Sequence, residues 1–411
     1  MALVGSYGVD AFGAAMWRAM AHHPRRDQRW RLSSSLSSVD SRPPPWFSVA
    51  PMMEWTDNHF RALARILSRC SWLYTEMVVA ETIVHHENDL ERWLEFPAAQ
   101  HPIVLQLGGS NLANLSKAAK LVSAFGYDEI NFNCGCPSSK VAGHGCFGAR
   151  LMLSPRLVGE AMQAIGEESS APVTVKCRIG VDDSDSYDQL CNFVSTVSSL
   201  SPTQHFIIHA RKALLEGLSP AQNRVAPPLK YEYVLALMRD FPDLQFTLNG
   251  GITTVEQVNY LISDKGVNGV MLGRAAYNTP WCTLARADSC IYGMPERRIT
   301  RRQVLREYEE YAESVIGKYG NNKPGIRVLV KPVANLFHGE KGSSRWRQAI
   351  DEHVRHAKSF SELLEKTMAV LPDSVLDTPV PYEVSAEEST LLIGSLPPSP
   401  SSTSKVLVST A

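Results

Sequence analysis

The chain has 411 residues, 44% of them hydrophobic, which is enough for one large domain and a smaller one around a sizeable core. It contains no run of 18 apolar residues of the kind that spans a membrane as a helix. The formal net charge of −1 is unevenly spread: basic residues gather over 297–358, whereas 372–399 carries Asp373, Asp377, Glu383, Glu387 and Glu388 with no Lys or Arg. A basic module inside a neutral chain points to a polyanionic partner; a solvated helical surface is the other reading of the same charges.

Eight cysteines in so long a chain do not form a secreted disulfide framework. Cys177, Cys191 and Cys282 sit in apolar or strand-like surroundings, where reduced, buried thiols are expected, so a reducing compartment is implied. Residues 1–45 stand apart. They hold Arg18, Arg25, Arg26, Arg29, Arg31 and Arg42 against Asp10, Asp27 and Asp40, then a serine run at 33–38 and three prolines at 43–45. An Arg- and Ser-rich leader poor in acids reads as a transit peptide for a plastid or mitochondrion. The three aspartates fit a plain disordered extension of a cytoplasmic protein.

From Trp46 the texture is that of an α/β domain. Short apolar runs at 47–50, 73–77, 103–107, 129–133, 173–177, 206–210, 245–248 and 269–272 read as strands with little alternation, as when both faces are buried. Helical spacing lies between them, at 58–67, 112–125, 231–239 and 255–262. Eight strands alternating with helices over about 250 residues predict a (β/α)8 TIM barrel at 46–295. An open doubly wound sheet is the competitor, but no G-x-G-x-x-G follows the first strand. Beyond Pro295 only helical patterns remain, at 304–316, 326–336 and 346–357, giving a small all-helical domain over 296–370. Residues 371–411, rich in Pro, Ser and Thr, are expected not to pack.

In a barrel, polar residues at the carboxyl ends of strands read as site residues. Those ends carry Pro51, Met52 and Met53; Gln106; Asn133; Lys176 and Arg178; His209 and Arg211; Asn249, Gly250 and Gly251; and Gly273 with Arg274. The glycines after the last two strands let backbone N–H groups approach a phosphate, so a phosphorylated cofactor across the barrel mouth is expected. Taken singly, Lys176 is equally a salt-bridged barrel lysine, and His209 is more often a hydrogen-bonded core histidine. Cys134, Cys136, His144 and Cys146 do not have the spacing of a structural zinc site, and no metal is expected.

The loop Asn131-Phe-Asn-Cys-Gly-Cys-Pro-Ser-Ser-Lys140 and its continuation to Met152, with Val173–Gly180, Ile207–Arg211 and Leu248–Gly251, resemble the tRNA-dihydrouridine synthase family, most of all its A subfamily. The resemblance runs from Trp46 to about Ala357. It implies FMN as cofactor, held by Pro51, Met52, Met53, Gln106, Lys176, His209, Asn249, Gly250, Gly251, Gly273 and Arg274. It implies that NADPH or NADH reduces the flavin, whose N5 then delivers hydride to C6 of a tRNA uridine, while an acid on the opposite face protonates C5. Subfamily A implies U20 and U20a of the D-loop.

A cysteine serves as that acid in the family, within Gly-Ala-Cys-Leu-Met. Here the matching stretch is Gly148-Ala-Arg-Leu-Met152, so Arg150 stands at the cysteine's place and Cys146 lies four residues earlier. Cys146 is therefore the expected proton donor through a re-threaded loop; the rival is that Cys146 only packs. A guanidinium stays charged and is no proton donor. The resemblance further assigns Asn133 to the uracil edge, Arg178 and Arg211 to the base or its phosphate, and Arg224 and Arg347 to tRNA. The chain is expected to act as a monomer, with tRNA its only macromolecular partner. Two other functions stay open: an FMN barrel reducing a free small molecule, and a tRNA-binding protein that has lost catalysis.

Overall fold

In the computed structural model, which describes residues 42–138, 141, 147–320, 323–381 and 391–400, eight parallel strands close into a barrel in sequence order. The strands are β1 (Phe47–Val49), β2 (Trp72–Val79), β3 (Ile103–Gly108), β4 (Glu129–Cys134), β5 (Val173–Arg178), β6 (His205–His209), β7 (Gln245–Asn249) and β8 (Gly269–Leu272). β8 returns to pair with β1 through Ser48 and Met271, which closes the ring. The crossover helices are α1 (Asn58–Leu67), α2 (Ala80–His85), α3 (Leu112–Val122), α4 (Pro155–Glu168), α5 (Tyr187–Leu200), α6 (Tyr231–Asp240) and α7 (Val255–Ser263). Side chains of Asp57, Asn111, Ser186 and Thr254 cap α1, α3, α5 and α7 by accepting a first-turn backbone N–H.

The strands were expected to alternate little. β3 does so, but alternation is pronounced in β4, β5 and β7, because the barrel's two faces differ in chemistry. The outward face is apolar, as in Ile130 and Phe132 or Val173 and Val175, packed against helices. The inward face is split. Ala50, Trp72, Tyr74, Val104, Ile207 and Met271 form a small apolar cluster within the ring. Glu129, Asn131, Thr174, Gln106, His205 and Thr247 line the rest as hydrogen-bonded polar groups. Side chains two apart on a strand share a face, so Glu129, Asn131 and Asn133 climb the interior from bottom to mouth.

After β8 come α8 (Arg274–Asn278), α9 (Pro280–Tyr292), α10 (Arg301–Val315), α11 (Ile326–Leu329), α12 (Ser343–His353), α13 (Phe360–Met368) and α14 (Asp373–Leu376). The single helix expected over 326–336 is two pieces, α11 and a 3-10 turn at Pro332–Asn335, since Pro332 has no N–H to continue an α-helix. α10 starts earlier than the apolar pattern implied because Thr300 and Gln303 form a capping box. Cys282, expected to be buried, is exposed on α9.

Several of the described residues beyond 371 pack, against the expectation. Val375, Leu376 and Val380 are buried, and Leu391 and Ile393 lean on the core. Arg302 on α10 meets Asp377 at 2.7 Å and also pairs with Asp373. Cys146 and residues 1–41 of the leader, read as a transit peptide, lie outside the described residues; 42–45 pack on the barrel, where Arg42 pairs with Asp128 at 2.9 Å and the Trp72 indole N–H donates to the Pro43 carbonyl at 2.8 Å. No helix among the described residues is long and apolar enough to cross a membrane.

Candidate active site

The carboxyl ends of β3 to β8 bring most of the predicted residues to one mouth. The Lys176 ammonium donates to Asn249 Oδ1 at 3.1 Å, and Asn249 Nδ2 donates to the Met271 carbonyl at 2.7 Å, tying β5, β7 and β8 together. Gln106 Oε1 accepts from Asn133 Nδ2 at 2.9 Å, tying β3 to β4. Pro51, Met52 and Met53 form a turn held by Thr56, whose hydroxyl accepts from the Met52 N–H at 2.9 Å; Met53 is exposed. A Cβ placed on Gly273 would lie 3.7 Å from Met52 Sδ, so the turn after β1 abuts the turn after β8.

The mouth is cationic. Burial lowers the Lys176 ammonium to about 8, with Arg178 adding to the effect. Burial also carries His209 well below its ordinary value, and Arg178, Lys176, Arg211 and Arg224 push the same way. His209 is therefore a neutral imidazole at pH 7. Its Nε2 is buried and has no partner among the described residues. Arg224 and Arg274 are exposed at the rim, where Arg274 Nη2 approaches the Arg224 carbonyl at 3.5 Å.

Gly250 follows β7 with φ +112°, and a Cβ there would stand 2.7 Å from His209 Cδ2 and 3.0 Å from its Nε2. Only glycine fits both the conformation and the space. Gly251 is confined in the same way by Leu229 and by the Tyr231 hydroxyl, which donates to the Gly250 carbonyl at 2.7 Å. An orphaned imidazole nitrogen beside bare backbone and several cations fits a phosphorylated, partly anionic ligand with acceptor atoms.

The Dihydrouridine synthase (Dus) family profile matches residues 48–371. The chain belongs to that family. The tRNA-dihydrouridine(20/20a) synthase of Escherichia coli strain K12 is 43% identical over 329 residues, covering 80% of this chain and 92% of that protein. The like-named proteins of Xylella fastidiosa and Vibrio vulnificus are 42% and 40% identical, covering 79% and 80% of this chain and 92% and 97% of theirs. Among solved structures, an old yellow enzyme homologue from Zymomonas mobilis superposes with a TM-score of 0.41 at 13% identity, over 58% of this chain and 86% of that one.

Two of the predicted tRNA residues stand apart from an open mouth in this dihydrouridine synthase. Arg178 is buried, and its guanidinium bonds three carbonyl oxygens: Gly135 at 3.1 Å, Lys212 at 3.1 Å and Asn223 at 3.0 Å. It braces the loop after β4 against the loop after β6. Arg347 lies on α12 in the helical part, exposed and bonded to Ser343. Arg211 donates to the Pro227 carbonyl, and its buried Nε has no partner among the described residues. Arg150 is exposed on a 3-10 turn, Gly148–Leu153.

Sequence reasoning missed Tyr231, Leu229 and Asn223. The last holds the loop after β6 through bonds to the Leu214 N–H and carbonyl, at 2.8 and 2.9 Å. Nothing local marks such a residue. It also missed Glu129, Asn131 and Thr174, which polar alternation in Glu-Ile-Asn-Phe-Asn and Val-Thr-Val-Lys would have flagged.

Proposed function

We propose that this chain is a flavin-dependent reductase that converts uridine in the D-loop of tRNA, at U20 and U20a, to 5,6-dihydrouridine with FMN and NADPH. The observation that carries this reading is the family match running unbroken through the barrel and into the helical part, over residues that converge on one cationic mouth. Lys176, His209, Gln106, Asn249, Gly250, Gly251, Gly273 and Arg274, with the Pro51–Met53 turn, would hold FMN. Bound and reduced, FMN supplies the hydride taken up at C6 of the base.

The chain's own groups do the rest. Lys176 opposes negative charge developing beside it, and an arriving anion favours its protonated form. His209, kept neutral, offers its second ring nitrogen for a hydrogen bond without adding charge. Asn133 meets the uracil edge, which must be drawn out of the folded tRNA to reach the mouth. Arg211 and Arg224 receive phosphate or base there, and Arg347, on the helical part, grips backbone without reading sequence. Cys146 supplies the proton to C5, since a thiol is largely protonated at pH 7. The protein acts as a monomer.

Dihydrouridine formed on unmodified tRNA, with FMN-loaded protein and NADPH, is the test, read by mass spectrometry. Wild type should convert U20 and U20a. Cys146→Ala should still reduce its flavin with NADPH yet lose at least ~100-fold in dihydrouridine formation, the scale of a general acid. Equal activity of the two proteins would remove Cys146 from the mechanism. Binding of tRNA with no conversion by wild type would leave a tRNA-binding protein, a reading that the exposed Arg150 in place of the family cysteine favours.

A further inference from the structure

One hydrogen-bonded file of side chains crosses the barrel interior from its bottom to the mouth, and every bond in it points the same way. The backbone N–H groups of Gly135 and Cys136 donate to Asn133 Oδ1 at 3.1 and 3.0 Å. Asn133 Nδ2 donates to Gln106 Oε1 at 2.9 Å, and Gln106 Nε2 to Asn131 Oδ1 at 2.8 Å. Asn131 Nδ2 donates to Thr174 Oγ1 at 2.9 Å, and the Thr174 hydroxyl to Glu129 Oε1 at 2.6 Å. Glu129, Asn131, Thr174 and Gln106 are all buried.

The two ends of the file fix its polarity. At the top, backbone N–H groups can only donate. At the bottom, Glu129 Oε1 accepts from both Thr174 and the Tyr74 hydroxyl, the latter at 3.1 Å, so it is an acceptor. Turning any one amide between them would set donor against donor on one side and leave acceptor facing acceptor further along the file, a cost that burial magnifies. The ring of register pairs Gln106–Asn131 and Asn131–Thr174 holds the three members level across β3, β4 and β5.

We propose that Thr174 and Asn131, anchored on Glu129, are positioning residues that lock the side-chain amides of Gln106 and Asn133 in the orientation the bound flavin and uridine require. This rests on the flavin–uridine reading above. The file decides what each amide has left for a ligand. Both lone pairs of Asn133 Oδ1 are spent on backbone, so Asn133 keeps a single N–H and acts toward the mouth as a donor. Gln106 keeps one N–H and one lone pair. A uracil carbonyl suits the first; an exocyclic amine does not.

The experiment is FMN titration of apoprotein, with the dissociation constant from fluorescence quenching and the shape of the visible absorption band of the bound flavin. Thr174→Val keeps the shape of the side chain and removes the hydroxyl; Thr174→Ser keeps the hydroxyl; Tyr74→Phe removes the other donor to Glu129 and leaves the file intact. Folding is checked by thermal melting. Thr174→Val should bind FMN roughly tenfold more weakly, the loss of one well-placed hydrogen bond, with an altered band. Thr174→Ser should restore both, and Tyr74→Phe should match wild type.

Wild-type affinity and band shape in folded Thr174→Val would overturn the proposal, and so would an equal loss in Tyr74→Phe, which would mean general loosening of the barrel. Should Thr174→Val not fold, Asn131→Ser breaks the middle of the file without added bulk and is judged by the same two readouts. Failure of wild type itself to bind FMN would sink the flavin reading and the file's role together; the other outcomes bear on the file alone.

Discussion

Lys176 is held at a cost that its neighbours create. Burial, followed by Arg178, brings its ammonium from 10.5 to about 8. A base lowered on folding is less protonated in the folded than in the unfolded chain between those two values, so stability rises with pH across about 8 to 10.5. Below about 8 the folded protein carries the charge at full cost. In FMN-free protein, Lys176→Met should therefore be more stable than wild type at pH 7 by about 1–2 kcal/mol, a figure discounted for the lost bond to Asn249. The gap should close as pH rises from about 8 to 10.5. Thermal melts of both proteins at pH 7 and pH 10 check this, and a gap independent of pH would place the effect in packing. The same variant should bind FMN more weakly, because the strain that Met relieves is the charge the flavin needs.

Arg178 shows how an element gains meaning from what its end residue touches. It closes β5 and was read in sequence as a tRNA or base contact, from its place just beyond Lys176. Its three carbonyl partners span two loops, Gly135 on one side and Lys212 and Asn223 on the other. A lysine has one nitrogen on a flexible stem and cannot reproduce that fork. Arg178→Lys should cost about 2–4 kcal/mol, read from the urea midpoint, because a buried fork is broken and carbonyls are left unpaired. It should weaken tRNA binding more than FMN binding, since the loop carrying Arg224 loses its brace. Unchanged stability with lost tRNA affinity would instead make Arg178 a direct contact.

The strands, their order and the mouth residues were legible because parallel strands carry strong local signals and their carboxyl ends are where a barrel does chemistry. Cross-strand partners were not legible. Thr174 and Asn131 meet only because β4 and β5 pair in a particular register, and Tyr231 reaches Gly250 from a different crossover. Composition misled in the tail: a Pro- and Ser-rich segment read as unstructured still holds a few apolar residues in register with a waiting surface.

At the scale of the whole molecule, the family match stops at residue 371 while the fold continues. Arg301, buried on α10, is where the parts meet. Its guanidinium lies 4.4 Å from the Trp281 ring on α9 and donates to the carbonyls of Leu336 and Val375 at 3.2 and 3.3 Å. Val375 belongs to the tail, as do Leu376, Val380 and the two aspartates that hold Arg302. Ending the chain after Leu371 would take the Val375 carbonyl from Arg301 and both aspartates from Arg302. Three buried aliphatic side chains stabilise by up to ~1.5–3 kcal/mol each. At about 2–4 °C per kcal/mol for a large domain, the truncated chain should melt on the order of 10 °C below the full one. The FMN dissociation constant should stay within about twofold, because the α10 contacts share no residue with the barrel mouth and 391–400 touches α6 at Arg239 and Asp240, the end away from Tyr231. An unchanged melting temperature would mean that 372–381 and 391–400 ride on the surface without supporting it. Equal loss of FMN would mean that the tail's packing reaches the mouth, through α10 or through α6, where Arg239 donates to the Pro397 carbonyl and Ser399 to Asp240; His59 against Tyr311, at 2.9 Å between α1 and α10, and the Ser399–Asp240 bond would be the contacts to test next.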